Sequence, residues 1–301
     1  MTSAGMAPGS ARFEARYPDP PKNAICDTDS GVDFLIAHGA HSVMTRMEFL
    51  RHLPPERRNA LIQRMCASFD RVCLRITDNS DANAGDDSDG MTPGESTAAF
   101  ARGSGVPATR PDATDAEAGG PSAPSSDAAT GRTSAPSPDA SPGPLLRGIE
   151  FIRANRSAIE RQIDYYDSFC RAYPSACVVL PYMRNEQELD EMERLFARRC
   201  GGRLVPMVEV PLMVHRFREY ASRFPAYIVG IGDLYALLGG FDRHDVSYPS
   251  QVEDMLYDLI VAHMLPFARE GTTLFITSKT LCEHLRTHPD ARCRLEYLAK
   301  Y

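Results

Sequence analysis

The sequence predicts a mixed α/β protein, a (β/α)8 barrel of the TIM type interrupted by one long insert. Apolar strand-like segments alternate with helix-like segments on both sides of a low-complexity region. Repeated strand–helix units favour a parallel sheet, and seven such strands approach the eight of a closed barrel. A doubly wound open sheet is the alternative. No GxGxxG motif follows any strand, which counts against a dinucleotide-binding version of that fold.

The composition of the chain permits a large core and argues against two classes of partner. Of its 301 residues, 43% are hydrophobic, and the net charge is −7. An acidic chain has no general attraction for nucleic acid or for an anionic membrane. No apolar run reaches membrane-spanning length, and the N-terminus lacks the apolar core of a secretory signal. We therefore expect a cytoplasmic protein that binds neither nucleic acid nor membrane.

The eight cysteines form no recognisable disulfide or metal pattern. The sequence contains no CxxC pair and no Cys/His spacing typical of a metal site. Most of the cysteines lie in apolar surroundings. This pattern predicts free, buried thiols in a reducing compartment.

Composition divides the chain into a tail, one folded domain and an insert. Residues 1–21 are rich in proline and small residues and predict a flexible tail. Residues 79–143 contain ten acids, three bases and one aromatic residue among small polar residues. Such a segment buries too little apolar surface to offset its ordering entropy, so we expect it to be disordered. Residues 22–78 and 144–301 together form the predicted barrel domain.

The predicted strands are short apolar segments that end near polar residues. They cover residues 24–27, 42–49, 72–77, 177–182, 204–210, 227–232 and 272–277. The apolar pattern does not define an eighth strand as clearly as it defines these seven. Residues 293–300 either close the barrel or leave it incomplete.

The predicted helices lie between these strands. They cover residues 31–38, 55–69, 157–173, 186–199, 212–223 and 251–270. In the third of these, the apolar residues Ile159, Ile163, Tyr166 and Cys170 have helical spacing. Asn185 is a suitable N-cap for the fourth, because acidic residues occupy the first turn that follows it.

Acidic residues follow two of the predicted strands. Glu209 lies in a Val-Glu-Val-Pro stretch and Asp233 in a Gly-Ile-Gly-Asp-Leu stretch. The carboxyl ends of parallel barrel strands meet at one mouth, so the two side chains are expected to converge. Two carboxylates suit a divalent cation, and the nearby Arg243 suits a phosphorylated or carboxylated ligand. The alternative is a helix-capping acid, a turn aspartate and a surface ion pair.

Four motifs follow one another along the chain. They are TRMEFL at 45–50, LLRGI at 145–149, MVEVP at 207–211 and the stretch 229–243. In this order they resemble YRTEFL, LGWRAIR, MVETP and IGTNDLTQYTLAVDR of the phosphoenolpyruvate-utilising enzymes. That family includes enzyme I of the phosphotransferase system, pyruvate phosphate dikinase and PEP synthase. The similarity covers residues 23–285 apart from the insert and implies a barrel of the phosphoenolpyruvate/pyruvate type.

The resemblance implies a ligand role for five matching positions. Two acids, Glu209 and Asp233, would hold Mg²⁺. Three arginines would bind the anionic groups of phosphoenolpyruvate, with Arg46 and Arg147 on the phosphate and Arg243 on phosphate or carboxylate. Planar guanidinium groups suit both anions because they can donate two parallel hydrogen bonds. The expected ligand is phosphoenolpyruvate or a pyruvate-like acid, bound together with Mg²⁺.

Three further positions complete the implied substrate site. Glu48 and Arg75 would support the residues that contact the ligand. Gly232 stands where the family has an asparagine beside the metal aspartate, so one ligand-facing amide is missing.

The position of the family's catalytic cysteine is occupied by a threonine. The resemblance places Thr277 there, and we predict it as a catalytic residue together with Arg46 and Arg147. A threonine hydroxyl is a far weaker acid than a thiol, so the usual proton transfer to carbon is in doubt. Cys282 follows about one helical turn later and would substitute only with a different loop; a buried packing role is the alternative.

Several functions are compatible with these sequence features. The preferred one is a stand-alone, Mg²⁺-dependent enzyme that acts by phosphotransfer or enolate chemistry. The chain lacks the family's phosphohistidine domain, so phosphotransfer would require a separate phosphocarrier protein; a homodimer is a further partner hypothesis. The alternatives are a lyase or aldolase of the HpcH/HpaI type, a catalytically inactive phosphoenolpyruvate sensor or regulator, and an interaction protein that uses its insert.

Overall fold

The computed structural model describes residues 20–77, 146–196, 199–241 and 250–300. These residues belong to one compact unit that comprises Met1–Pro93 and Leu146–Tyr301. The second unit, Gly94–Leu145, lies outside the described residues. The predicted disordered insert and residues 1–19 of the predicted tail also lie outside them.

Nine parallel strands form the sheet within the described residues. The strands are β1 Asn23–Ile25, β2 Ser42–Arg46, β3 Arg71–Arg75, β4 Ala176–Leu180, β5 Leu204–Val208, β6 Ala226–Val229, β7 Thr273–Ile276, β8 Arg294–Tyr297 and β9 Ala299–Lys300. Neighbouring strands follow the order β8-β7-β6-β5-β4-β3-β2-β1-β9. Each strand from β2 to β8 therefore pairs with the strand that precedes it in the chain.

The last two strands join the opposite edges of the sheet. Strand β8 pairs with β7, with Thr273 opposite Arg294, and β9 pairs with β1, with Ala24 opposite Ala299. Leu298 alone separates β8 from β9. One extended segment thus bridges both edges, and the sheet forms a nearly closed, TIM-like barrel. The predicted α/β barrel is confirmed at this level, and the uncertain eighth strand is a closing one.

The described helices follow the strands that they connect. They are α1 Asp29–Ala37, α2 Met47–Leu50, α3 Pro55–Ser68, α4 Gly148–Ala154, α5 Arg156–Ala172, α6 Glu186–Phe196, α7 Pro211–His215, α8 Ile231–Gly239, α9 Ser250–His263 and α10 Lys279–Arg286. The predicted cap is present, because Asn185 Oδ1 accepts a hydrogen bond of 3.0 Å from the Glu188 backbone N–H. In the part of the chain described, no helix combines the length and the apolar character needed to cross a membrane.

Two predicted strands are too long. Strand β2 ends at Arg46, and the next residues form α2, in which Met47 and Leu50 are buried. Strand β6 ends at Val229, and Ile231 and Leu234 are buried in the first turn of α8. In each case the buried residues are three apart, which is helical spacing, whereas a strand would alternate. Continuous apolar runs conceal this change of period.

Two predicted helices extend well past the observed ends, and four helices were missed. Helix α7 stops at His215 because an aromatic cluster follows, in which Phe217 packs edge-on against Tyr220 and Tyr227. The Tyr220 hydroxyl donates to the Met213 carbonyl oxygen over 2.6 Å. Helix α9 ends well before residue 270. The missed helices are α2, α4, α8 and α10.

The interior of the barrel is layered from base to mouth. Its apolar middle consists of Ile25, Met44, Cys73, Cys177, Val179, Val205, Met207, Ala226, Ile228, Phe275 and Leu298. Side chains on one face of a strand recur every two residues. A basal cavity of about 130 Å³ lies below this apolar middle. It is lined by residues that precede members of the middle by two positions along the chain, namely Asn23, Ser42, Arg71, Thr273 and Glu296. The polar residues of the mouth lie above the apolar middle. They follow members of the middle by two positions along the chain and are Asp27, Arg46, Arg75, Glu209 and Thr277.

All eight cysteines are free and buried, as the sequence predicts. Cys73 and Cys177 lie opposite each other on β3 and β4, with 3.3 Å between their sulfur atoms. Burial raises the pKa of Cys66 to about 12. This thiol is therefore protonated at neutral pH and packs as a small apolar side chain.

We predict that Phe275→Ala destabilises the protein by about 3–5 kcal/mol, because it leaves a cavity in the middle layer of the barrel. Urea denaturation followed by circular dichroism measures the change. Leu237→Ala is the control, since Leu237 is 48% exposed and surface truncations change stability by about 0.5 kcal/mol. Equal effects of the two substitutions would show that Phe275 is not part of a packed interior.

Candidate functional site at the barrel mouth

Predicted site residues from several strands lie at one end of the barrel. Arg46 and Arg75 are the last residues of β2 and β3, and Glu209 and Thr277 immediately follow β5 and β7. The parallel strands bring all of these ends to the same mouth, as expected from the sequence.

Asp233 and Arg147 form an ion pair at this mouth. Asp233 occupies the first turn of α8, and Arg147 immediately precedes α4. The Arg147 Nη1 atom donates to Asp233 Oδ1 over 2.8 Å. Asp233 is 5% exposed. The structure thus places Asp233, a predicted metal ligand, in direct contact with Arg147, which is predicted to bind a phosphate group.

Glu209 lies beside this pair and is 4% exposed. Its Oε2 atom accepts a hydrogen bond of 3.0 Å from the backbone N–H of Tyr182. The Tyr182 ring lies 3.9 Å from the guanidinium carbon of Arg147. Burial raises the pKa of Tyr182, and the Asp233 and Glu209 carboxylates act in the same direction while Arg147 opposes them. Tyr182 therefore connects both acids with the arginine.

Two close backbone approaches hold this group in place. A Cβ atom on Gly148 would lie 2.4 Å from the Tyr182 carbonyl oxygen, and one on Gly230 would lie 2.4 Å from Glu209 Cγ. Tyr182 itself has φ of 51°, a left-handed conformation that is uncommon for a non-glycine residue. Backbone strain of this kind persists where surrounding contacts enforce it, and it is frequent at functional sites.

Arg46 is fixed by an acid at the end of the neighbouring strand. Its Nε and Nη2 atoms donate to Asp27 Oδ2 over 2.9 and 2.6 Å, and its backbone N–H donates to Asp27 Oδ1 over 2.7 Å. The Thr45 hydroxyl donates to the same Oδ1 atom over 3.0 Å. The Phe49 ring covers the other side, 4.1 Å from the guanidinium carbon.

Glu48 and Arg75, which the resemblance assigns to supporting roles, contact each other. Arg75 Nη1 donates to Glu48 Oε1 over 2.8 Å, and both side chains are largely buried. The carbonyl oxygen of Arg75 accepts a hydrogen bond of 3.1 Å from the buried Tyr166 hydroxyl. This pair anchors the end of β3 against helix α5.

The remaining predicted residues have different surroundings. The Thr277 hydroxyl accepts from the Ile231 backbone N–H over 3.0 Å and donates to the Val229 carbonyl oxygen over 3.2 Å. It therefore fixes the turn between β6 and α8. Gly232 is exposed, and a Cβ atom there would meet open space. Cys282 is buried in α10, and burial raises its pKa to about 11. Arg243 lies outside the described residues.

These contacts join four carboxylates with three guanidinium groups. The pairs are Asp27 with Arg46, Glu48 with Arg75, and Asp233 with Arg147, with Glu209 beside the last pair. Carboxylate oxygens are the ligands that Mg²⁺ prefers, and it often uses only one or two of them together with ligand oxygens. In the described parts of the chain, no three His, Cys, Asp or Glu side chains form a metal-binding group. A cation at this mouth would therefore rely on two carboxylates, water and ligand oxygens.

Two residues of the mouth, Asp27 and Tyr182, were not predicted from the sequence as site residues. Asp27 had a detectable signal, because it is an acid that follows a strand in the same way as Glu209 does. Tyr182 had none, because its role depends on a left-handed backbone and on contacts with distant residues.

The chain matches no protein-family model. It also has no match among curated proteins. The likeness to the phosphoenolpyruvate-utilising enzymes therefore stands on the short motifs described above, and what they imply for function is a proposal.

We predict that Gly148→Ala destabilises the protein more than Gly39→Ala does, by about 1–3 kcal/mol, which is the usual cost of overpacking. Both glycines have positive φ, 57° and 65°, but of the two only Gly148 would bring an added Cβ atom within 4 Å of a neighbour, the Tyr182 carbonyl oxygen. The difference in stability between the two variants thus isolates the effect of the steric clash from the cost of placing an alanine at positive φ. Chemical denaturation measures both. Equal losses would contradict the close contact between α4 and Tyr182.

Proposed function

We propose that the barrel mouth binds a small phosphorylated or carboxylated acid, of the phosphoenolpyruvate or pyruvate type, together with Mg²⁺, and that the protein acts on it as an enzyme. The observation that carries this proposal is the meeting of Glu209, Asp233 and Arg147 at one mouth. They come from three separate parts of the chain, and each stands at a position that the motif resemblance assigns to ligand binding.

The donor set suits the proposed cation. Glu209 follows β5, and Asp233 lies in the first turn of α8, after the neighbouring strand β6. Both are buried carboxylates, and both influence the same tyrosine, Tyr182. Burying two like charges near each other is unfavourable unless a cation compensates them, and Arg147 supplies one positive charge. These two acids would hold Mg²⁺. When bound, the ion would stabilise negative charge on the oxygens of the acid.

The contacts of Arg147 preorganise its guanidinium group for binding an anion. Its guanidinium lies between the Tyr182 ring and the Asp233 carboxylate, so little side-chain freedom remains to be lost on binding. Arg147 would orient a phosphate or carboxylate next to the two acids.

Arg46 is the second anion-binding candidate. Its contacts with Asp27 use Nε and Nη2, which leaves Nη1 outside those contacts. Asp27 and Phe49 hold the guanidinium plane from two directions, so the direction of any further hydrogen bond is fixed in advance. A guanidinium plane held in this way can present its remaining donors to a phosphate in a fixed direction, which a flexible lysine cannot do.

A second candidate function is a sensor that binds the same acid without converting it. The observation that favours it is the state of Thr277, whose hydroxyl bonds with two backbone groups of the turn between β6 and α8. A hydroxyl with these bonds and the high intrinsic pKa of an alcohol is poorly suited to deliver a proton to carbon. No comparable observation within the described residues favours the lyase or aldolase alternative.

We predict that phosphoenolpyruvate, pyruvate or oxalate with Mg²⁺ raises the melting temperature, because a ligand that binds only the folded state stabilises it. Arg147→Ala should abolish the shift. Arg57→Ala is the matched control and should leave the shift unchanged, since Arg57 forms an exposed ion pair with Asp29. Circular dichroism checks that both variants fold. A full shift in folded Arg147→Ala would contradict the assignment of Arg147, and no shift in the unaltered protein would contradict the proposed function.

We predict that an active enzyme exchanges the methyl protons of pyruvate with deuterons from D₂O in the presence of Mg²⁺, since enolate formation removes a proton from that carbon. Proton NMR of pyruvate measures the rate. Ligand binding without exchange would favour the sensor. Exchange that survives Thr277→Val would show that another group transfers the proton.

A further inference from the structure

Two histidines from different helices meet on the outer surface of the barrel. His215 is the last residue of α7, and His263 is the last residue of α9. His215 Nδ1 lies 3.4 Å from His263 Nε2, and the ring centroids are 4.4 Å apart. The pair lines a surface pocket of about 360 Å³ with Arg216, Arg218, Glu219 and Phe267. None of these residues belongs to the barrel mouth described above.

The separation of the two nitrogens fits a shared metal ion. Zinc–imidazole bonds are about 2.05 Å long, and two such bonds at a tetrahedral angle place the nitrogens about 3.3 Å apart. The observed distance of 3.4 Å matches this value. The pocket beside the two rings has room for water or small anions as the remaining ligands of such an ion.

The charges around the pair do not oppose a cation. Arg216 donates to Glu219 Oε2 over 2.6 Å, and it also pairs with Glu186 over 3.2 Å. Arg216 lowers the pKa of Glu219 to about 2, so this carboxylate is ionised at neutral pH. The charges of these two acids balance those of Arg216 and Arg218.

We infer that His215 and His263 form a two-histidine site for a divalent transition metal of the Zn²⁺, Ni²⁺ or Cu²⁺ class. Imidazole nitrogen is a preferred ligand for these ions, whereas Mg²⁺ prefers oxygen. The site is therefore distinct in chemistry from the proposed Mg²⁺ site at the mouth. Metal bound here joins the ends of α7 and α9, which pack against each other, and it stabilises the folded chain.

Calorimetric titration of the full chain with ZnCl₂ tests this inference, in the presence of excess MgCl₂. We expect saturable binding of about one Zn²⁺ per chain. His215→Ala and His263→Ala should each weaken it by more than about tenfold, because loss of a ligand costs at least as much as loss of its outer partner. The double variant should bind no more tightly than either single one, and its loss should be smaller than the sum of the two single losses, since both residues belong to one site.

His41→Ala is the matched control. His41 is also exposed and lies 3.1 Å from a carboxylate oxygen of Asp70, so it is the competing candidate for surface metal binding. Its substitution should leave the Zn²⁺ affinity unchanged. Absence of saturable binding, binding that persists in the double histidine variant, or binding that Mg²⁺ displaces would each overturn the inference. Persistence would assign the ion to another site, such as the buried thiols.

Discussion

Alternation of side chains along the parallel strands determines where every polar group of the barrel interior lies. An apolar middle region, which includes Met44, Met207 and Phe275, fills the barrel between its base and its mouth. Polar residues can enter the interior only above or below it, where water or a partner satisfies them. The same two-residue period that buries Met207 brings Glu209 to the mouth, and the period that buries Met44 brings Arg46 there. Packing and function therefore share one register, and a slip of one residue would invert both.

The ion pairs of the mouth are better explained by positioning than by stability. Removing charges from water costs several kcal/mol per ion, so a buried pair contributes little net stability, whereas breaking it is costly. Arg46 with Asp27, Arg75 with Glu48, and Arg147 with Asp233 thus hold guanidinium groups in fixed orientations. Preorganised donors of this kind are what an anionic ligand requires.

Sequence periodicity predicted the barrel well, because each strand is a short apolar run followed by polar residues. It also placed Glu209 near the end of a strand, where the structure has it, whereas Arg46 and Arg75 lay inside the predicted strands 42–49 and 72–77 and are strand-terminal in the structure. It failed at residues 47–49 and 231–232, where apolar runs continue from a strand into a helix without a break. It could not identify Tyr182, since a left-handed backbone in a non-glycine residue has no compositional signature. The ion-pair partner of each charged side chain could not be predicted from the sequence either, because pairing depends on distances between strands.

The closing segment has a consequence for how the molecule forms. Ala24 pairs with Ala299, so the contact that completes the barrel joins residues from opposite ends of the described chain. Bringing such distant positions together costs loop-closure entropy before any contact compensates it. Proteins dominated by long-range contacts reach the native state slowly. We therefore expect the β1–β9 seam to be a late event on the folding pathway, and the interior to stay accessible to water until it forms.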